Sequence, residues 1–75
     1  MDLSKAKLNT DCVVKSINIT DEKMKIRLME LGLIVGSKIV VKRRSVWKKT
    51  MLLSFNSGCF TMKSDIAETI EVNYG

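Results

Sequence analysis

Only one stretch of this 75-residue chain, residues 20–32, spaces its apolar side chains at a helical period; most of the rest alternates as strands do or turns. That imbalance constrains the fold class more than any other feature. Parallel strands need crossover connections of a dozen or more residues, and five short extended runs with one helix between the first two leave no room for them. A layered α/β arrangement is therefore excluded. What remains is a mainly β domain with one α-helix and a short helical turn. A chain this short buries only about 60% of the surface its unfolded form exposes, so residues 1–75 are expected to share one economical core as a single domain.

Residues 12–19 read as the first strand. Val13, Ile17 and Ile19 alternate with Val14, Ser16 and Asn18, and since both parities carry a valine, the inward face is open unless a bulge switches the pattern. Thr20-Asp21-Glu22 then offers a capping hydroxyl or carboxylate, followed by acidic groups suited to the positive end of a helix dipole. Met24, Leu28 and Leu31 fall at i, i+4 and i+7 and predict one buried stripe, with Lys23, Arg27 and Glu30 on wetter faces and Asp21 placed to pair with Lys25. Gly32 supplies the stop, because glycine accepts the left-handed conformation, and Leu33 just beyond it can fold back on the last turn.

Gly36-Ser37 marks a turn into residues 38–44, where Ile39 and Val41 share a face that Lys42 and Arg44 avoid. Residues 45–49 break the alternation and residues 50–55 resume it, which predicts an antiparallel pair joined by a loop carrying Trp47. Asn56-Ser57-Gly58 predicts the next hairpin turn. Residues 59–63 return with Phe60 and Met62 on one face, residues 64–67 suit a single helical turn, and residues 69–72 form a closing strand with Ile70 and Val72 inward. Closing such a sheet removes exposed edges and lets the helix cover one open end, so a small SH3-like barrel is the expected architecture.

Charge is unevenly distributed. No acidic residue lies between Glu30 and Asp65, whereas Lys38, Lys42, Arg43, Arg44, Lys48, Lys49 and Lys63 do, so one face is expected to be basic. Trp47 stands among Arg43, Arg44, Lys48 and Lys49, a group suited to an acidic protein surface or to anionic headgroups; folding of Trp47 over the barrel mouth is the alternative. Most methionines fit core positions. Met29 lies off the helix stripe beside Ile26, and the two could form a small docking strip.

Reactive chemistry is poorly represented. The chain has no histidine, and Cys12 and Cys59 read as small buried hydrophobes rather than a disulfide or a zinc site. Ferrous iron needs imidazole, carboxylate or thiolate donors gathered in one shell; Asp65 and Glu68 fit solvated or capping positions better. Residues 32–38 order a helix before the glycines and a strand after them, the reverse of a phosphate loop. Serine or cysteine without a histidine base gives no nucleophile. The expectation is a protein without enzyme activity, cofactor or metal site. No apolar stretch approaches the roughly 20 residues that span a bilayer, and the first residues lack a secretory pattern, so a cytoplasmic location is expected.

The run Arg27-Leu28-Met29-Glu30-Leu31-Gly32-Leu33-Ile34-Val35-Gly36-Ser37-Lys38-Ile39-Val40-Val41 resembles the signature of the bacterial ferrous iron transport protein A family, FeoA. Within that signature Arg27, Leu28, Glu30, Leu31, Gly32, Leu33 and Gly36 occupy the motif positions. Phe60-Thr61-Met62-Lys63-Ser64-Asp65-Ile66-Ala67, followed by Ile70 and Val72, is similar to the family's closing strand, turn and last strand. Val35 stands where family members often carry proline, and this chain has none. The resemblance implies an accessory that binds the cytosolic region of the membrane ferrous iron transporter FeoB and modulates uptake. It also implies a likeness to the carboxy-terminal barrel of iron-dependent repressors, from which a transition-metal-binding label follows that these residues do not themselves support. Weak self-association and membrane proximity fit the same picture. A nucleic-acid-binding barrel or a metal-repressor-like regulatory domain is the rival. The first is disfavoured because Phe55 and Phe60 are placed internally and leave Trp47 without companion rings, and the second needs a winged-helix partner that these residues do not supply.

Overall fold

The computed structural model describes residues 1–56 and 58–75. Its elements are a 3-10 turn at Leu3–Lys5, β1 (Asp11–Ile17), α1 (Glu22–Glu30), β2 (Lys38–Ser45), β3 (Thr50–Phe55), β4 (Gly58–Lys63), α2 (Ser64–Ala67) and β5 (Ile70–Tyr74). The strands form one antiparallel sheet in the order β4-β3-β2-β1-β5. Consecutive strands β2, β3 and β4 are hairpin neighbours, and β5 returns to lie beside β1. Every strand contributes to a single core that includes Val14, Ile39, Val41, Leu53, Met62 and Ile70.

A bulge resolves the ambiguous face of β1. Its pairing with β5 shifts between Val14 and Ser16, so Cys12 and Val14 point inward before the shift, while Ile17 packs against the core after it. Ile19, just past the strand, is buried too.

Asp21 caps α1, accepting from the backbone N–H groups of Lys23 (3.0 Å) and Met24 (3.3 Å). With its carboxylate on those amides, no ion pair to Lys25 forms among the described residues. The expected stripe is displaced at its end: Leu28 is buried and Met24 half-buried, but Leu31 is 37% exposed. Leu33 takes its place in the core. At the helix end Leu33 N–H donates to Leu28 C=O (2.9 Å) and Gly32 N–H to Met29 C=O (3.0 Å), with Gly32 at φ 94°, which is a Schellman closure. Reversing the chain there lets Leu33 join Leu28 in the core and turns Leu31 outward. A second tight turn follows, in which Ser37 N–H donates to Ile34 C=O (3.0 Å) and Gly36 has φ 94°, the conformation of the third residue of a type II turn.

The face assigned to Arg44 needs correction. The β2–β3 register shifts between Val41 and Arg43, leaving Lys42 out of step, so Arg43 pairs with Leu52 and Arg44 with the buried Met51. The bulge thus moves Arg44 onto the same side of the sheet as Ile39 and Val41. Its Nε donates to Ser4 C=O (2.9 Å) and its Nη2 to Ala6 C=O. Those carbonyls belong to the amino-terminal segment, whose Leu3 and Ala6 are fully buried and whose turn is capped by Asp2.

Cys12 is buried as expected, but Cys59 is exposed on β4, and both thiols are free. The expected 56–58 hairpin turn includes Ser57, which lies outside the described residues.

Candidate functional site

Two exposed surfaces include most of the residues singled out from the sequence. The first starts on α1, where Ile26 and Met29 are 53% and 54% exposed, and continues through Leu31 into the Gly36 turn, where Ile34 and Val35 are 54% and 62% exposed. Ile34 and Val35 carried no periodic signal; their exposure follows from the turn. The turn is fastened beneath them. Ile34 N–H donates to Ser37 Oγ (3.0 Å), Ser37 Oγ donates to Gly32 C=O (3.1 Å), and Gly36 N–H donates to Val14 C=O of β1 (2.8 Å). These apolar side chains are therefore displayed on a segment fixed to the sheet.

Beside α1 a groove of about 620 Å³ runs toward β4. Leu28, Phe55, Phe60 and Met62 contribute to its lining, together with Arg27 and Asp65. Phe55 and Phe60 stack with ring centroids 4.5 Å apart, and Phe55 is buried. They therefore serve the core rather than a stacking platform. Arg27 and Glu30 are exposed and make no ion pair among the described residues.

The second surface is the β2–β3 hairpin tip. Trp47 is 97% exposed and Val46 85%, so the ring projects from the loop instead of covering the barrel. The loop backbone is held by Lys48 N–H donating to Ser45 Oγ (3.3 Å) and by Lys49 C=O accepting from Ser64 N–H (2.8 Å). Lys48 shares a shallow cleft with Arg43 and Thr50 on one side, and on the other lines a cleft with Lys49, Lys63, Asp65 and Glu68. Arg43, Lys48, Lys49 and Lys63 are exposed, and none is ion-paired among the described residues. Arg44 is absent from this group, being bonded to the amino-terminal carbonyls. Val46 and Lys63 join it, the latter because β4 lies beside β3.

Metal-ligand chemistry is not gathered anywhere among the described residues, where no three Cys, Asp or Glu side chains converge. Asp65 accepts from Ile66 N–H (2.9 Å), a local backbone bond. The donor set does not fit a resident transition metal. Burial raises the Cys12 thiol above its ordinary value, and the neighbouring Asp11 carboxylate raises it further, opposite to what a nucleophile or thiolate ligand requires. Among the described residues no helix is long and apolar enough to cross a membrane.

Fold and surfaces together define a small SH3-like barrel that displays an apolar helix face and a basic hairpin tip. The FeoA domain model matches residues 1–74, and the chain belongs to the FeoA family. Its role is in ferrous iron transport. The FeoA protein of Chlorobium tepidum, solved in solution, is 31% identical over 99% of this chain and 70% of that one, with a TM-score of 0.90. Stenotrophomonas maltophilia FeoA, solved with zinc and described as a procaryotic SH3 domain protein, is 25% identical over 97% of this chain and 89% of that one, with a TM-score of 0.82. A manganese-dependent transcriptional repressor shares the fold at a TM-score of 0.87 and 19% identity, over 99% of this chain and 41% of that longer one. No curated protein matches the chain significantly.

Proposed function

We propose that this protein acts as a cytosolic accessory of ferrous iron uptake by binding the cytosolic region of the membrane transporter FeoB, with α1 and the turn after it as the docking surface. One observation carries the reading: Ile26, Met29, Leu31, Ile34 and Val35 are each more than a third exposed within ten consecutive residues. A cluster of that kind on a rigid segment suits a partner that removes it from water. The regulation is by contact; iron is the transporter's cargo, and this barrel carries no gathered donor set for it among the described residues.

The test is a titration of the purified protein against the soluble cytosolic region of FeoB. Ile26→Asp and Met29→Asp change exposed positions, so folding should persist while affinity falls about tenfold or more, as expected for central contact residues. Unchanged affinity in both variants would exclude the helix face. Absence of binding by the unaltered protein would exclude the reading itself.

A further inference from the structure

We infer that the β2–β3 hairpin tip is an interfacial anchor for an anionic lipid surface, with Val46 and Trp47 entering the boundary of the bilayer and Arg43, Lys48, Lys49 and Lys63 lying against its headgroups. The inference rests on the transporter reading only in that such a partner places the protein beside a bilayer.

The geometry separates the apolar part from the charged part. Val46 and Trp47, 85% and 97% exposed, are adjacent in the loop between the two strands and are the most exposed large apolar side chains of the described chain. An indole suits the boundary between water and hydrocarbon, since its ring is apolar and its N–H can still reach a headgroup. Behind the tip, Arg43 is on β2, Lys48 and Lys49 are in the loop, and Lys63 ends β4. A negatively charged leaflet attracts such cations, each contributing on the order of fivefold in binding near the surface. Two acids, Asp65 on α2 and Glu68 just after it, share the cleft of Lys48, Lys49 and Lys63 but form no ion pair with them among the described residues. They flank the collar on one side and are not part of the tip.

A lipid surface fits these features better than a nucleic acid does. Bases require several exposed rings along a groove, whereas the phenylalanines here stack on each other and the tip offers one indole beside a valine. A bilayer requires only a short apolar projection and a diffuse field of cations. One such tip gives weak, reversible attachment, which becomes useful when a second contact holds the protein at the same place.

Trp47 is the only tryptophan in the chain, so its emission reports directly on the tip. The intact protein is mixed with vesicles of pure phosphatidylcholine, with vesicles of equal parts phosphatidylcholine and phosphatidylglycerol, with a short single-stranded oligonucleotide, and with the soluble cytosolic region of FeoB. The expected result is a blue shift and co-flotation with the anionic vesicles alone, both reduced by high salt. Flotation should be lost in Trp47→Ala and fall by at least an order of magnitude when Lys48 and Lys49 are both changed to Glu. Circular dichroism and melting confirm that these variants are folded. No response to anionic vesicles overturns the inference, as does an equal response to neutral ones. A response to the oligonucleotide or to the soluble FeoB region in place of the vesicles assigns the tip to that partner and overturns it as well. The vesicle arms contain no transporter, and Ile26→Asp leaves them unchanged, so failure of the docking reading and failure of this one are separately visible.

Discussion

The side-chain amide of Asn56, at the end of β3, donates to Leu31 C=O (3.1 Å) and occupies the space that a Cβ on Gly32 would need. One contact thus ties the exit of α1 to the β3–β4 corner, and it gives Gly32 a second constraint beyond its positive φ.

Gly36 has the same φ of 94° with nothing near the place of a Cβ, so the pair separates conformational from steric cost. Gly36→Ala should cost roughly 1–2 kcal/mol, the penalty for a left-handed L-residue. Gly32→Ala should cost more, because Asn56 must also move. In an Asn56→Ala background, itself about 1 kcal/mol less stable, the excess should vanish. Urea unfolding of the double-mutant cycle measures this.

Val35 occupies the second position of the Gly36 turn, and its N–H donates to no backbone group among the described residues. Val35→Pro should therefore stabilise the protein by about 0.4–1 kcal/mol through the unfolded chain. For a domain of this size that is a rise in Tm of about 2–8 °C, readable by calorimetry.

Arg44 and its neighbour Arg43 should behave oppositely. Arg44→Ala removes two charge-assisted bonds to Ser4 and Ala6 and should cost about 1.5–3 kcal/mol, with faster amide exchange around the Leu3–Lys5 turn. Arg44→Lys cannot reproduce the guanidinium fork and should recover only part of that. Arg43→Ala should lie within about 0.5 kcal/mol of the parent.

The two thiols should differ in reactivity and in pH dependence. Cys59 should be labelled rapidly by a maleimide and Cys12 only on unfolding. Burial first, and Asp11 second, raise the Cys12 thiol above 9.0, so the folded state holds that proton more tightly than the unfolded chain. Its stabilisation is complete below pH 9 and is lost as pH climbs from there through the folded value. The urea midpoint of a Cys59→Ser protein should fall across that range more steeply than that of Cys12→Ala/Cys59→Ser.

The elements were legible because their signals are local. The Asp21 cap, the Gly32 stop, the Gly36 turn and the alternation in β2 to β5 each lie within a few residues of the structure they specify. Leu31 could not be placed from its helical phase alone, because the Schellman closure exchanges it for Leu33. The buried amino-terminal turn is not legible for a related reason: three residues carry no period, and the turn is covered by α2 and β5, which are distant in sequence.

The candidate surfaces divide the same way. Ile26, Met29, Trp47, Lys48 and Lys49 could be identified by position in an element, while Lys63 joins the tip only through the pairing of β3 with β4. Arg44 leaves it through a one-residue bulge that alternation cannot register.

By itself, then, the sequence determined the mainly β class, the single long helix and its two ends, and the family motif, since capping, turn conformation and periodicity act between near neighbours. Tertiary structure alone decided which arginine is bonded to the amino-terminal carbonyls and which faces solvent, which leucine enters the core, and which cations share the hairpin tip with Trp47. Those outcomes depend on strand register and on contacts between residues far apart in the chain, and a shift of one residue in pairing exchanges the two faces of a strand.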